Sequence, residues 1–332
     1  PQPVAPQKPP MPTSRPSSPA SLSRRDFLLF GAASALLACT GCSSKDGQPR
    51  VGLALGGGGA KGLAHILALE ALDELGIRPH VIAGTSIGAI IGALYAAGLS
   101  GREIRAQIEQ FFVDEKEAKD NFFALPKSVR WLDFIDPTLA GGGLLSSDDF
   151  IEFLGEILPT QRFRKLQIPL KVVTAELLTG RQVVIDSGDL LPALQASMAV
   201  PGVFPPVEIN GRKLVDGGVA NPLPYDLVQP GSDIVIAVDV SGQREIEDGE
   251  TLSSLGVLLH SFHAISNNIL TEKLKLQQPD IMMRPSIRNV RVLEFYKARQ
   301  VLEEAQPAKR EFIRDLNKAL RAHRRGQGCT PA

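Results

Sequence analysis

Apolar and polar positions from Arg50 onwards alternate between short buried runs and longer helical patterns. The run VGLAL at 51–55 predicts a buried strand, and KGLAHILALEALDELG at 61–76 predicts a helix that ends at its last glycine. A second strand, HVIAG at 80–84, is followed by a second helix, SIGAIIGALYAAG at 86–98. This order predicts an α/β fold with a mostly parallel central sheet covered by helices on both faces.

The same patterning continues along the rest of the chain. The segment LKVVTAELLTGRQVVID at 170–186 predicts two strands joined near Thr179–Gly180, and DIVIAVDVS at 233–241 predicts another buried strand. Two further segments, 253–277 and 291–325, have helical patterns. No linker divides residues 50–325, so we expect one domain, followed by a short tail at 326–332.

The N-terminal part has a different composition. Residues 1–20 are rich in proline and serine and lack apolar residues that could pack, which predicts a disordered segment. Residues 21–42 are typical of a signal peptide, because two arginines precede twelve uncharged, mostly apolar residues from Phe27 to Ala38. The sequence SRRDFL is similar to a twin-arginine export signal, and LLAC resembles a lipobox that would be lipidated at Cys39.

These features predict an exported protein, lipid-anchored on the periplasmic side of a bacterial membrane, with 43–50 as a short linker. An ordinary signal peptide with two chance arginines and a spare cysteine is the alternative. The protein would then be periplasmic.

Composition and charge exclude several function classes. The chain has 332 residues, with 36 basic and 36 acidic side chains and a formal net charge of zero, so no overall field favours nucleic acid. Its cysteines (Cys39, Cys42 and Cys329) lie near the two ends, which indicates neither a disulfide framework nor a cysteine-based metal site. No pattern indicates a metal ion or a cofactor.

An irregular segment between Phe111 and Leu145 contains six of the chain's aromatic residues. Two interpretations stay open. The rings simply fill the core, or they form a lid or lipid-facing surface beside an active site, where long loops are common.

Four glycines follow the first strand in VGLALGGGGAKGLAH, at 51–65. A P-loop needs Gly-Lys-Ser/Thr, whereas Ala60 precedes Lys61 and Gly62 follows it, so that interpretation fails. A dinucleotide-binding fingerprint would need an acidic residue near the end of the second strand, but IAGTSIGA there contains none. The loop could instead present backbone N–H groups to a developing anion, and a nicotinamide-binding role stays open behind this use.

The second strand ends in GTSIG at 84–88, which fits G-x-S-x-G between a strand and a helix. Small residues on either side permit a sharp turn that leaves the Ser86 hydroxyl at the helix N-terminus. A nucleophilic serine needs a base, and no histidine has a convincing setting. Two lie in a helical pattern, one lies in a basic tail, and His65 is expected either to pack in the core or to brace the glycine loop. A carboxylate, Asp216, follows a short strand and precedes two glycines that allow a close backbone approach.

Four sequence segments together resemble the patatin-like phospholipases: GGGAKG at 57–62, GTSIGA at 84–89, ASMAVPGVFPPV at 196–207 and DGGVANPLP at 216–224. The resemblance covers nearly all of residues 50–240, and 251–325 adds little to it. It implies a patatin-like three-layer fold over residues 51–240, with 241–325 as a helical part packed on the same domain.

The resemblance also implies a lipid acyl hydrolase with a Ser–Asp dyad, in which Ser86 is the nucleophile and Asp216 the general base. The backbone N–H groups of Gly57, Gly58 and Gly59 would form the oxyanion hole. Two further residues, Lys61 and Gly62, would support that loop, although the family more often has arginine at the lysine position. The implied substrates are phospholipids or other acyl esters at a membrane surface.

A carboxylate is a useful base for an alcohol only if its pKa is raised, so we expect Asp216 to be buried. The alternatives are an esterase or thioesterase that acts on soluble acyl compounds, and a non-catalytic envelope protein that binds lipid.

Overall fold

A computed structural model describes residues 48–111, 148–242 and 254–327. Eight strands form one sheet in the order β5-β6-β3-β2-β1-β7-β8, with β4 paired to β3. The strands are β1 Val51–Leu55, β2 Val81–Thr85, β3 Leu170–Glu176, β4 Gln182–Ile185, β5 Val207–Ile209, β6 Arg212–Asp216, β7 Ile234–Val238 and β8 Ile281–Met283. Neighbours from β3 to β8 along this order are parallel, whereas β4, β5 and β6 pair antiparallel, so the expected mostly parallel sheet is confirmed.

Helices surround this sheet. They are α1 His65–Glu74, α2 Ile87–Ala96, α3 Gly101–Phe111, α4 Asp148–Ile157, α5 Leu190–Ser197, α6 Tyr225–Val228, α7 Ser254–Leu276 and α8 Ala298–Gln327. The described residues also form four short 3-10 helices, at Gly59–Ala64, Phe163–Lys165, Gly217–Val219 and Phe295–Lys297.

Alternating side chains of the central strands enter two separate cores. On β1, Val51, Leu53 and Leu55 pack in the larger core, while Ala54 packs in the smaller one with α6 and α7. The same alternation occurs on β2 and β7, since successive side chains of a strand point to opposite faces. A sheet buried on both faces explains why its strands are nearly all apolar, and it confirms the predicted three-layer arrangement.

The predicted first helix differs in detail from the observed one. Residues Gly59–Ala64 form a 3-10 helix, and the α-helical part starts only at His65. The paired strands of 170–186, the strand at 234–238 and the long helices α7 and α8 occur where the patterns predict them. Helix α8 packs on α1, where Lys309 donates to Glu70 at 2.9 Å.

Several predictions concern residues outside the described ranges. They are the disordered segment 1–20, the signal peptide 21–42 with its lipidation site at Cys39, and the aromatic segment from 112 to 145. Within the described ranges, no helix is both long enough and apolar enough to cross a bilayer.

Candidate active site

Ser86 lies at the turn between β2 and α2, with φ of 55° and ψ of −127°. A positive φ is costly for a residue with a side chain, and such strain is typical of the turn that exposes a nucleophile. The turn also needs Gly88, because a Cβ atom there would lie 2.2 Å from the Leu55 carbonyl oxygen. The sharp turn predicted from G-x-S-x-G is therefore present.

Asp216 is the last residue of β6, and its side chain is 1% exposed. Burial raises the pKa of its carboxyl to about 6, while the neighbouring Ser86 hydroxyl and the Gly218 N–H act in the opposite direction. The Gly218 N–H donates to Oδ1 at 2.7 Å. The other oxygen, Oδ2, is buried without a hydrogen-bonding partner of good geometry among the described residues. The prediction of a buried, desolvated Asp216 is thus confirmed.

Ser86 and Asp216 border one cleft of about 120 Å³ together with the glycines at 57–59. The strands β1, β2 and β7 run parallel side by side, so the segments that follow them meet at one edge of the sheet. The rest of the cleft is mostly apolar, and its side chains include Ile87, Ile90, Phe150, Met198, Val200, Phe204, Phe262, Leu270, Val292, Leu293 and Phe295. A polar pair at the base of an apolar cleft suits an acyl chain attached to a reactive carbonyl.

The glycine loop differs from its predicted role at one position. The Gly57 N–H donates to the Pro222 carbonyl at 2.9 Å, so this proton is already used inside the protein. No such bond occupies the N–H groups of Gly58 and Gly59 within the described residues. The Gly57 N–H is therefore not available to an oxyanion, contrary to the prediction, and Gly57 instead anchors the loop, while the N–H groups of Gly58 and Gly59 stay available for that role.

Lys61 and Gly62 hold this loop against its surroundings. The Lys61 side chain is buried, and its Nζ lies 3.5 Å from the Ser241 carbonyl oxygen just beyond β7. Gly62 packs directly on the first residue of α2, because a Cβ atom there would lie 2.1 Å from Cγ2 of Ile87. Both contacts fit the supporting role that the resemblance implies.

His65 braces the loop, as expected from its place in the sequence. Its Nε2 lies 2.8 Å from the Gly56 carbonyl oxygen, and burial lowers the pKa of the ring to about 4, so the ring is neutral at pH 7. Among the histidines of the described residues, only His263 borders the cleft. Its Nε2 lies 2.9 Å from the Asn267 amide nitrogen and 3.1 Å from the Gly242 carbonyl oxygen, so this nitrogen is already engaged.

Asn221 and Pro222, just after Asp216, connect the elements of the site. The Asn221 carbonyl accepts the Thr85 hydroxyl at 2.8 Å, next to the turn at Ser86, while Pro222 accepts the Gly57 N–H. The Asn221 side chain accepts from Lys273 of α7 at 2.7 Å and donates to two further side chains. Asn221 and Pro222 therefore fix the serine turn and the glycine loop relative to each other.

Sequence reasoning assigned no role to Asn221, Pro222 or Ser197. The Ser197 hydroxyl donates to the Val173 carbonyl at 2.6 Å and accepts the Ser86 N–H at 2.9 Å. These residues lie in segments that carry the resemblance, ASMAVPGVFPPV and DGGVANPLP, but their contacts with Gly57, Thr85 and Ser86 span more than a hundred positions. Within the described ranges, no group of three or more histidine, cysteine, aspartate or glutamate side chains could hold a metal ion.

The sequence of this chain matches a family profile and several known proteins. The family profile described as "Patatin-like phospholipase" matches residues 53–228, more than half of the chain. An "uncharacterized NTE family protein" of Mycobacterium tuberculosis is 34% identical over 224 residues, which cover 66% of this chain and 58% of that protein. "Patatin-like phospholipase domain-containing protein 7" of Rattus norvegicus is 31% identical over 265 residues, which cover 77% of this chain and 18% of that protein.

This chain therefore corresponds to only part of the length of those relatives. "Lysophospholipase NTE1" of Kluyveromyces lactis is 27% identical over 289 residues, covering 80% of this chain and 19% of that protein. Among solved structures, VipD from Legionella pneumophila is 15% identical with a TM-score of 0.45, covering 80% of this chain and 67% of that one.

Proposed function

Since the chain belongs to the patatin-like phospholipase family, we propose that it hydrolyses the carboxylic ester bond of a phospholipid or lysophospholipid. The observation that carries this proposal is the meeting of Ser86 and the buried Asp216 at one apolar cleft. A serine on a strained turn supplies a nucleophile, and a carboxylate whose pKa is raised to about 6 supplies a base that is ionised at neutral pH.

In the proposed first step, Ser86 Oγ forms a bond to the ester carbonyl carbon while its proton passes to the Asp216 carboxylate. Oδ2 suits this transfer, because it is buried and lacks a good partner among the described residues. Negative charge develops on the carbonyl oxygen, and the N–H groups of Gly58 and Gly59 stabilise it. The bond to the leaving alkoxide then breaks, and that oxygen takes the proton back from Asp216.

The second step releases the fatty acid. Water gives a proton to Asp216 as its oxygen attacks the acyl carbon of the acyl-enzyme. The bond to Ser86 breaks, and Ser86 Oγ recovers the proton, so both residues return to their starting state. The apolar cleft walls accommodate the acyl chain throughout.

The test is hydrolysis of p-nitrophenyl esters with short and long acyl chains by the purified chain. We expect Ser86→Ala and Asp216→Asn each to lower kcat by about 1000-fold or more. Ser187→Ala and Asp186→Asn, at exposed positions that do not line the cleft, are the matched controls and should leave kcat unchanged. Equal activity in the parent and both site variants would refute the dyad, and a preference for short acyl chains would favour an esterase of soluble compounds.

We further propose that the protein is exported and held at a bacterial membrane by lipid on Cys39, which would bring the cleft close to phospholipid. The support is the arginine pair, apolar run and lipobox-like LLAC of the sequence. Cell fractionation of a Cys39→Ser, Cys42→Ser variant tests this, and its complete retention in the membrane fraction would contradict lipid anchoring.

A further inference from the structure

A second, polar cavity of about 810 Å³ adjoins the apolar cleft. The two share four residues, Asp239, Ser241, Asn267 and Leu270. The cavity otherwise lies between the last turns of α7 and the loop that follows β8, residues 284–289. A substrate whose ester lies at Ser86 could therefore extend its polar end directly from the cleft into this cavity.

Arg284 is held in place at the wall of this polar cavity. Its Nε donates to Asp239 Oδ2 at 2.7 Å, and the Asp239 side chain is almost fully buried. The other carboxylate oxygen, Oδ1, accepts from the N–H and hydroxyl of Ser241, so Asp239 cannot turn away. The ion pair uses only Nε, and among the described residues no acceptor bonds to the two terminal nitrogens of the guanidinium.

Arg288, on the same loop, makes hydrogen bonds with the described residues through its backbone. Its N–H donates to the Glu304 carboxylate at 2.7 Å, and its carbonyl accepts from Gln300 at 3.2 Å. Its guanidinium forms no ion pair within the described residues. The third cation of the wall, Lys275, is already paired with Glu272 at 2.7 Å. Two guanidinium groups and one carboxylate therefore leave the cavity with positive charge.

A phosphate group is the anion that best fits this wall. Arginine offers a planar set of donors that matches phosphate oxygens, and a charge held in place loses little entropy on binding. In a lysophospholipid, a glycerol unit alone separates the ester from the phosphate, so the two groups require adjacent sites of opposite character. The apolar cleft and the polar cavity meet this requirement.

We propose that the polar cavity binds the phosphate of a lysophospholipid whose acyl ester lies beside Ser86, with Arg284 and Arg288 as its main partners. This inference rests on the proposed ester hydrolysis and adds a binding site for the phosphate of the substrate.

The test compares two short substrates that dissolve as monomers, 1-hexanoyl-glycerol 3-phosphate and 1-hexanoylglycerol. For Arg288→Gln we expect KM for the phosphate-bearing substrate to rise about tenfold, because a charge-assisted hydrogen bond is lost. Hydrolysis of hexanoylglycerol by the same variant should be unchanged, which also establishes that it folds. Arg288→Lys should lie between the parent and Arg288→Gln, and Arg310→Gln, exposed on α8, is the matched control.

Inorganic phosphate separates a lipid headgroup site from a general phosphate site. We expect weak competition against the phosphate-bearing substrate in the parent and weaker competition in Arg288→Gln. Inorganic phosphate that binds as tightly as the lipid would overturn the headgroup assignment. So would an Arg288→Gln variant that leaves both KM values unchanged or raises them equally, while ester hydrolysis itself would stand. If the parent cleaves neither substrate, the proposed hydrolysis fails and this inference fails with it.

Discussion

The apolar cleft and the polar cavity lie side by side, yet they are built in different ways. The cleft is formed at the ends of the central strands, where buried elements fix a strained serine and a desolvated carboxylate. The polar cavity is formed largely by surface segments, α7 and the loop 284–289, and its cationic side chains Lys275, Arg284 and Arg288 are exposed. This difference suggests a division in which the rigid core carries the chemistry and the surface selects the substrate.

The largest expected effect is on the free energy of unfolding, which the buried Asp216 carboxylate lowers at neutral and alkaline pH. Burial raises the pKa of Asp216 from 3.8 to about 6, so the folded protein retains a proton that the unfolded chain releases between these values. Stability from this group is present below pH 3.8 and is lost as the pH rises to about 6. Asp216→Asn should therefore be more stable than the parent at pH 8, by about 3 kcal/mol at most.

Urea unfolding at pH 4 and pH 8 measures this difference. The two proteins should have nearly equal free energies of unfolding at pH 4. If the parent is as stable as Asp216→Asn at pH 8, burial does not raise the pKa of this carboxylate. Asp186→Asn, at the exposed position just after β4, keeps Asp216 and should therefore retain the parent's dependence on pH.

A smaller effect is expected from the loop that connects the site. Asn221→Ala removes the side-chain contacts to Lys273, Gln182 and Asp226, which hold the carbonyl that Thr85 contacts. Because the serine turn and glycine loop would lose their fixed relation, kcat should fall about tenfold to thirtyfold with little change in KM.

The loss in Asn221→Ala should be the same for hexanoylglycerol and for its 3-phosphate, in contrast to Arg288→Gln, which affects only the second. Steady-state kinetics with both substrates makes this comparison, and Asn268→Ala, exposed on α7, is the control. A loss confined to the phosphate-bearing substrate would contradict a separate role for the two regions.

Much of the fold and the cleft could be predicted because both depend on local patterns. Strands such as Val51–Leu55 are apolar on both faces, and the turn at Ser86 needs small residues at fixed spacing, so each leaves a mark in a short stretch of sequence. The three-residue strands Val207–Ile209 and Ile281–Met283 leave no such mark, because they are too short to show periodicity.

Contacts between distant segments could not be predicted in the same way. The bond from Gly57 to Pro222 removes one expected oxyanion donor, and the pair of Arg284 with Asp239 gives the polar cavity its fixed cation. Each joins residues far apart in the chain, and neither depends on a pattern of spacing. Composition was also uninformative about the cavity, since a net charge of zero conceals a local excess of arginine.

The most direct test of the dyad is covalent labelling by a fluorophosphonate, followed by mass spectrometry of the digested protein. We expect the modification on Ser86, with a labelling rate that falls at least about 100-fold in Asp216→Asn, because the hydroxyl would lose its base. Modification at another serine, or a rate that does not change in Asp216→Asn, would contradict a Ser86–Asp216 dyad.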